Sequence, residues 1–272
     1  MVTRMERNSH TEDEINRLKK CEEALVGTRF RQIEHFKEVT STNDELISRA
    51  PEVTENLIFV ADYQTHGRGR LKRVWEAPAG ENLLCSLLVL PDWEMNRNSL
   101  ITSALALSIV EYLNEEGVEA FIKWPNDIVL KEPKKGKIAG ILSEYIPGNP
   151  EKIVIGFGVN VNWPTKKVKD LEEAVSLKMI GKNLKKLDLL VGVLKNFEKK
   201  LQMLAEANGQ DLLRQEHIAK SETLGTMIQV EMQKSQIRGL ATDITEEGFL
   251  LVDDGTTVTE ITSGDVRKLR NQ

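Results

Sequence analysis

The segments Gln64-Thr65-His66-Gly67-Arg68-Gly69-Arg70, Lys123-Trp124-Pro125-Asn126-Asp127 and Lys137-Ile138-Ala139-Gly140-Ile141-Leu142 contain the residue types needed for chemistry on an anionic nucleotide. Glycines on either side of Arg68 let the backbone come close to a ligand. Arg68 and Arg70 offer planar forks of donors that suit carboxylate and phosphate. Alternation in an extended loop points both arginines to the same side, where the pair can hold a carboxylate and a phosphate together. Gln64 adds an amide that both donates and accepts. Taken alone, this segment reads better as an Arg/Gly surface turn or an RNA-contacting stretch.

Asp127 follows the break at Pro125-Asn126, where proline forbids a regular ladder, which places its carboxylate to face a cavity. There it can take a proton or bind an ion that bridges phosphates. Lys137 enters an apolar strand, a costly place for an ammonium unless it meets an anion. Lys134 and Lys135 compete with it for such a role. Asn160, at the end of the Gly-spaced run Gly156-Phe157-Gly158-Val159-Asn160, offers its amide to a ribose or to a neighbouring loop.

The elements that must position these groups can be read from pattern. Asp13–Lys20 is helical within a polar start, and Thr40-Ser41-Thr42-Asn43 is a helix entry ahead of Asp44–Ala50, which Pro51 ends. Strands are expected at Leu57–Ala61, Asn82–Leu90, Ala120–Trp124, Asp127–Lys131, Ile138–Tyr145 and Lys152–Val161. Helices are expected at Ser99–Glu116, Leu184–Ala207 and Asp211–Ser221. From Thr223 the pattern alternates at Met227–Met232, Ile237–Ile244, Gly248–Val252 and Thr256–Ile261, with acidic-glycine turns between, as a small all-β module does.

The chain has 272 residues, 40% of them hydrophobic, and a formal charge of −5. That balance opposes general nucleic-acid affinity, and 5% aromatic residues leave few platforms for base stacking. Lysines cluster at Lys131–Lys137, Lys166–Lys169 and Lys182–Lys186, which reads as solvated loops and helix ends. The cysteines, Cys21 and Cys85, form no metal or disulfide framework, and Met1 to Lys20 lacks an apolar signal core. A cytoplasmic protein without a membrane partner is expected.

From about Phe30 to the C-terminus the chain resembles the biotin–protein ligase family (biotin–[acetyl-CoA-carboxylase] ligase). The matching pieces, in order, are Ser41-Thr42-Asn43, Gln64, Gly67-Arg68-Gly69-Arg70 with Trp75 after it, Lys123–Asp127, Lys137 with Ile138–Leu142, and Gly158-Val159-Asn160. The resemblance implies an α+β fold: a mixed β-sheet flanked by helices, of the class II synthetase and biotin–lipoate ligase kind, followed by a small Src-homology-3-like β-barrel. The expected division is an N-terminal extension over 1–28, a catalytic domain over 29–222 and the barrel over 223–272.

The implied activity has two steps. Biotin and ATP give biotinyl-5'-adenylate, with magnesium as an ion carried by the nucleotide. A lysine of a biotin carboxyl carrier domain of a carboxylase then takes the biotinyl group. By the same resemblance Ser41, Thr42, Asn43 and Gln64 hold biotin, and Arg68-Gly69-Arg70 closes over biotin and the adenylate. Lys137 reaches the biotin carboxylate and the α-phosphate, and Trp75 borders the nucleotide. Trp124 and Asn126 shape the adenylate site, and Asp127 helps orient the acceptor lysine or a metal and is the candidate base of the second step. Asn160 and Arg267 lie near the nucleotide, and the loop Trp163–Asp170 covers it. Arg70, Asp127 and Lys137 form the expected catalytic set.

Val74 stands where many relatives have a basic residue, with Arg73 one place earlier. Repressor-type relatives carry a helix-turn-helix domain ahead of the catalytic one. A three-helix unit does not fit in residues 1–28, so the expected type is ligase-only, without DNA binding. Pairing of two copies through a sheet edge is compatible with the resemblance. Lipoate–protein ligase is the rival reading, and it usually lacks the Gly67–Arg70 pattern.

Overall fold

The computed structural model describes residues 11–148, 150–163, 174–232 and 235–269. In chain order its main elements are α1 Glu12–Ala24, β1 Ile33–Val39, α2 Thr42–Arg49, β2 Leu57–Gln64, β3 Asn82–Val89, α3 Ile101–Glu115, β4 Ala120–Lys123, β5 Asp127–Leu130, β6 Gly136–Ile146, β7 Lys152–Asn160, α4 Lys186–Ala205, α5 Gly209–Lys220, β8 Met227–Glu231, β9 Gln236–Ile244, β10 Leu250–Asp253, β11 Val258–Ile261 and β12 Asp265–Lys268.

A seven-stranded sheet runs in the order β1-β2-β3-β7-β6-β5-β4. Its β1–β2 pair is parallel and the others are antiparallel, as a mixed sheet requires. Alternation sorts the strand residues onto two faces. Leu83, Cys85, Leu87 and Val89 of β3, with Ile153, Ile155, Phe157 and Val159 of β7, pack into the main core with α3 and α4. Leu88 and Val154 face the other way and pack with Phe36, Phe59 and Leu46, under α2. α3 is apolar nearly all round and buried accordingly. Gly192 of α4 lets Tyr112 of α3 close in, since a Cβ there would lie 2.1 Å from the ring.

The described part of the expected N-terminal extension, residues 11–28, packs on this body. Thr11 and Glu14 form a capping box that starts α1. Leu25, just past its end, is fully buried in the main core beside Phe30. Apolar residues at the far end of a polar helix decide its docking.

The C-terminal module is a five-stranded antiparallel sheet, ordered β11-β10-β9-β8-β12. It surrounds its own core of Ile228, Val230, Leu250, Val252, Ile261 and Val266. Its outer strands β11 and β12 do not pair, so the barrel is open along one seam. The β12 strand was not legible in the sequence, because Asp265-Val266-Arg267-Lys268 offers one buried apolar residue, Val266. No helix among the described residues is long and apolar enough to cross a membrane.

Between α3 and α5 sits His217, 2% exposed, with Nδ1 2.9 Å from the Ser103 hydroxyl. Burial pushes its pKa down to about 4. The unfolded chain therefore takes up a proton near pH 6.5 that the folded chain refuses until about pH 4. Stability from the neutral imidazole is complete above the unfolded value and is lost as pH falls through this window. Between pH 7 and 4.5 the loss should be roughly 2–3 kcal/mol. Urea unfolding of wild type and His217→Gln at both pH values measures it: the variant should lose that share of the pH dependence, and identical slopes would refute the assignment.

Candidate active site

Three adjacent strands build the floor. The register sets Ser86 of β3 beside Gly156 of β7, which in turn lies beside Leu142 of β6. One pair along, Leu84, Gly158 and Gly140 form a second row. Both rows lie on the α2 side of the sheet, and the glycines leave bare backbone there. A cavity of about 1360 Å³ opens above, walled by the start of α2, the Gly67–Trp75 loop, the β4–β5 turn and β12 of the small module. Trp75 lies across the bare strip: a Cβ on Gly158 would come within 2.6 Å of its indole, and one on Gly140 within 2.9 Å.

One end of the cavity is a network of hydroxyls and amides, closed by an ion-paired arginine. Ser41 caps α2 by accepting the Asp44 amide at 3.4 Å. The Thr42 amide and hydroxyl donate to Gln64 Oε1 at 2.7 and 3.0 Å. Ser86 Oγ lies 2.6 Å from the Thr42 hydroxyl and donates to Asn43 Oδ1 at 2.6 Å. Asn43 Nδ2 donates to Leu142 O at 3.3 Å and to Glu144 Oε2 at 2.8 Å. Asn43 and Ser86 are buried, so each of these bonds fixes an orientation that water would otherwise scramble. Arg68 Nη2 closes this end, 2.6 Å from Asp44 and 2.7 Å from Glu144.

The other end is charged. Lys137 Nζ lies 2.6 Å from Asp127 Oδ1 and 5.2 Å from the centre of the Trp75 ring. Arg70 Nη1 donates to Asn126 Oδ1 at 3.2 Å and to Gly264 O at 3.3 Å. Asn126 is itself fixed, since its Nδ2 donates to Ile141 O at 2.6 Å. Burial holds the Arg70 guanidinium below its usual pKa, and the carboxylates of Asp265 and Asp127 oppose that shift. It stays charged throughout the physiological range.

Arg68, Arg70 and Lys137 thus border one cavity, but the expected alternation fails. Residues Arg70–Lys72 form a tight turn, and the arginines reach opposite ends of the site. Arg68 meets Glu144 of β6, whereas Arg70 meets Asn126, which bonds to Ile141, three residues back along β6 and on the order of 10 Å away. Ser41, Thr42, Asn43, Gln64, Gly69, Trp75, Asn126 and Asp127 border the same cavity. So does Arg267, at the rim, where its side chain is 67% exposed and pairs with Glu231 at 3.5 Å.

Trp124 and Asn160 also border the cavity, and both are anchored in the scaffold. Trp124 is buried with the core of the small module, its Nε1 donating to Gly248 O at 3.0 Å. Asn160 is 2% exposed; it donates to Val175 O at 3.1 Å and Lys137 O at 3.3 Å and accepts from Asn82 Nδ2 at 3.0 Å. Between Lys135 and Lys137, the exposed Lys135 stands at the rim while Lys137 meets Asp127 inside. Of the loop 163–170, residues 164–170 lie outside the described residues.

Ser86, Glu144 and Asp265 were missed in the sequence. Ser86 had a signal, a hydroxyl alone within the apolar run Leu83–Leu90. Glu144 and Asp265 had none, being ordinary acids near strand ends.

Residues 35–160 match the Biotin/lipoate A/B protein ligase family, and residues 223–269 match the Biotin protein ligase C terminal domain. The second match, in tandem with the first, separates the branches. The chain belongs to the biotin protein ligase family. Within that family it is 29% identical to the biotin–[acetyl-CoA-carboxylase] ligase of Mycobacterium tuberculosis, over 90% of this chain and 92% of the relative. It is also 29% identical to the bifunctional ligase/repressor BirA of Bacillus subtilis, over 80% of this chain and 67% of that protein. Among solved structures, the biotin protein ligase from Aquifex aeolicus in complex with biotin and ATP superposes with a TM-score of 0.76 at 28% identity, covering 89% of this chain and all (100%) of that one.

Proposed function

We propose that this chain activates biotin with ATP and transfers the biotinyl group to a lysine of a biotin carboxyl carrier domain, in the cytoplasm. The observation that carries the reading is the two-ended cavity: a hydrogen-bonding end at Thr42, Asn43 and Gln64, a cationic end at Arg70 and Lys137, and between them a glycine strip with the Trp75 indole lying across it. A ligand with a polar ring head, an apolar tail and a carboxylate fits that sequence of environments.

In the first step the biotin carboxylate oxygen attacks the α-phosphorus, the bond to pyrophosphate breaks, and pyrophosphate leaves. Negative charge grows on the phosphate oxygens, where Lys137 and Arg70 neutralise it without having to reorganise. Magnesium enters with the phosphates of ATP; no group of three or more acidic, histidine or cysteine side chains suited to a metal gathers among the described residues. In the second step the acceptor amine attacks the anhydride carbonyl, the carbon–oxygen bond breaks, and AMP leaves. Asp127, 2.6 Å from Lys137, takes the amine proton.

Thermal shift with biotin against lipoate tests the ligand. Stabilisation should come from biotin, and a shift with lipoate alone would overturn the reading. Arg70→Gly removes the link between loop and β4–β5 turn. It should let the adenylate escape and label bystander lysines, read by mass spectrometry of an added inert protein. Labelling confined to the carrier would count against the clamp.

A further inference from the structure

The Gly67–Trp75 loop is folded back on itself. Trp75 N donates to Gly67 O at 2.9 Å, Gly69 N to Arg73 O at 2.8 Å and Arg73 N to Arg70 O at 3.1 Å. At its tip Leu71 and Lys72 adopt φ of 54° and 61°, the left-handed region that side chains avoid. Leu71 is also 55% exposed, so core packing does not hold it there. Each such residue costs on the order of 1 kcal/mol and persists where surrounding contacts over-determine it.

Those contacts come from the small module. Arg73 Nη2 pairs with Asp265, and Arg70 Nη1 donates to the neighbouring Gly264 O at 3.3 Å. Asp265 is a firm point. It lies on β12, and the small module is fastened to the large domain at several places. Trp124 Nε1 reaches Gly248 O at 3.0 Å, Ser99 Oγ reaches Glu247 O at 2.8 Å, Arg214 pairs with Asp243 at 2.7 Å, and Lys268 pairs with Glu222. The module is thereby a fixed wall against which a strained loop is tied.

We propose that Asp265 is a positioning residue for the active-site loop: by holding Arg73, and Arg70 through the adjoining turn, it keeps the loop shut over the activated acyl group, so the C-terminal module governs retention of the intermediate. This rests on the adenylate reading of the cavity.

Trypsin tests the loop directly, because Arg68, Arg70, Lys72 and Arg73 are all cleavage sites within it. With the full chain, Asp265→Asn should raise cleavage inside the loop roughly two- to fivefold over wild type, with Tm little changed, as loss of an ion pair with a largely exposed arginine would. Asp265→Glu should restore protection, and Arg73→Gln, made from the loop side, should reproduce the exposure at Arg70 and Lys72. In the same preparations the ratio of bystander to carrier labelling should rise with cleavage. Wild-type protection in Asp265→Asn and Arg73→Gln would overturn the proposal. A wild-type enzyme that releases no pyrophosphate with biotin would instead overturn the functional reading, while the protease result still decides what holds the loop.

Discussion

Lys137→Ala should lower the rate of pyrophosphate release with biotin and ATP by about 10²–10³, the usual scale for removing one preorganised charge from a developing anion. The expectation has two parts. The ammonium lies 2.6 Å from Asp127 and 5.2 Å from the centre of the Trp75 ring, at the cavity's charged end, so its loss removes one of the two cations of that end. The variant also leaves Asp127 without its 2.6 Å partner, which adds repulsion for an incoming triphosphate. The fold should survive, because β6 is held at this residue through its backbone: Val175 N donates to Lys137 O at 2.9 Å. Single-turnover pyrophosphate release and thermal unfolding measure the two parts. Near-normal release would show that the charge here is not the one the reaction uses.

Gly156→Ala should damage the opposite end. A Cβ at this position would lie 2.1 Å from Asn43 Oδ1 and 3.1 Å from Ser86 Oγ. Asn43 must then rotate, which breaks its bonds to Ser86, Leu142 and Glu144 together. A buried amide left unpaired costs about 1–3 kcal/mol, and overpacking adds a similar amount. We expect KM for biotin to rise on the order of 10²-fold, with KM for ATP changing far less. Isothermal titration with biotin checks it directly. An unchanged biotin affinity would mean that this network only supports α2.

The same residues show what could and could not be read from the chain. The sheet strands were legible because Leu83–Leu90 and the glycine-spaced run to Asn160 are long and apolar, and their bounds held within a residue or two. The helix entry at Ser41 was legible because a capping hydroxyl has a local signature. What long-range packing decides was not. Asn160 and Trp124 line the cavity, and the hydrogen bonds that set them there go to Val175, Lys137 and Gly248, partners 15, 23 and 124 residues away. Arg68 and Arg70 were expected to point one way because alternation assumes extended backbone. The left-handed residues after Arg70 replace that with a turn. Asp265 was illegible for the complementary reason: its role exists only once β12 is laid beside the loop, about two hundred residues earlier in the chain.

The account stands or falls on one assay. Incubating the enzyme with ATP, biotin and an isolated biotin carboxyl carrier domain, followed by intact-mass and peptide mass spectrometry, should show a single biotinyl group on one carrier lysine, with AMP and pyrophosphate formed in equal amounts. An unmodified carrier, or a carrier that accepts a lipoyl group in parallel reactions and never a biotinyl one, would contradict it.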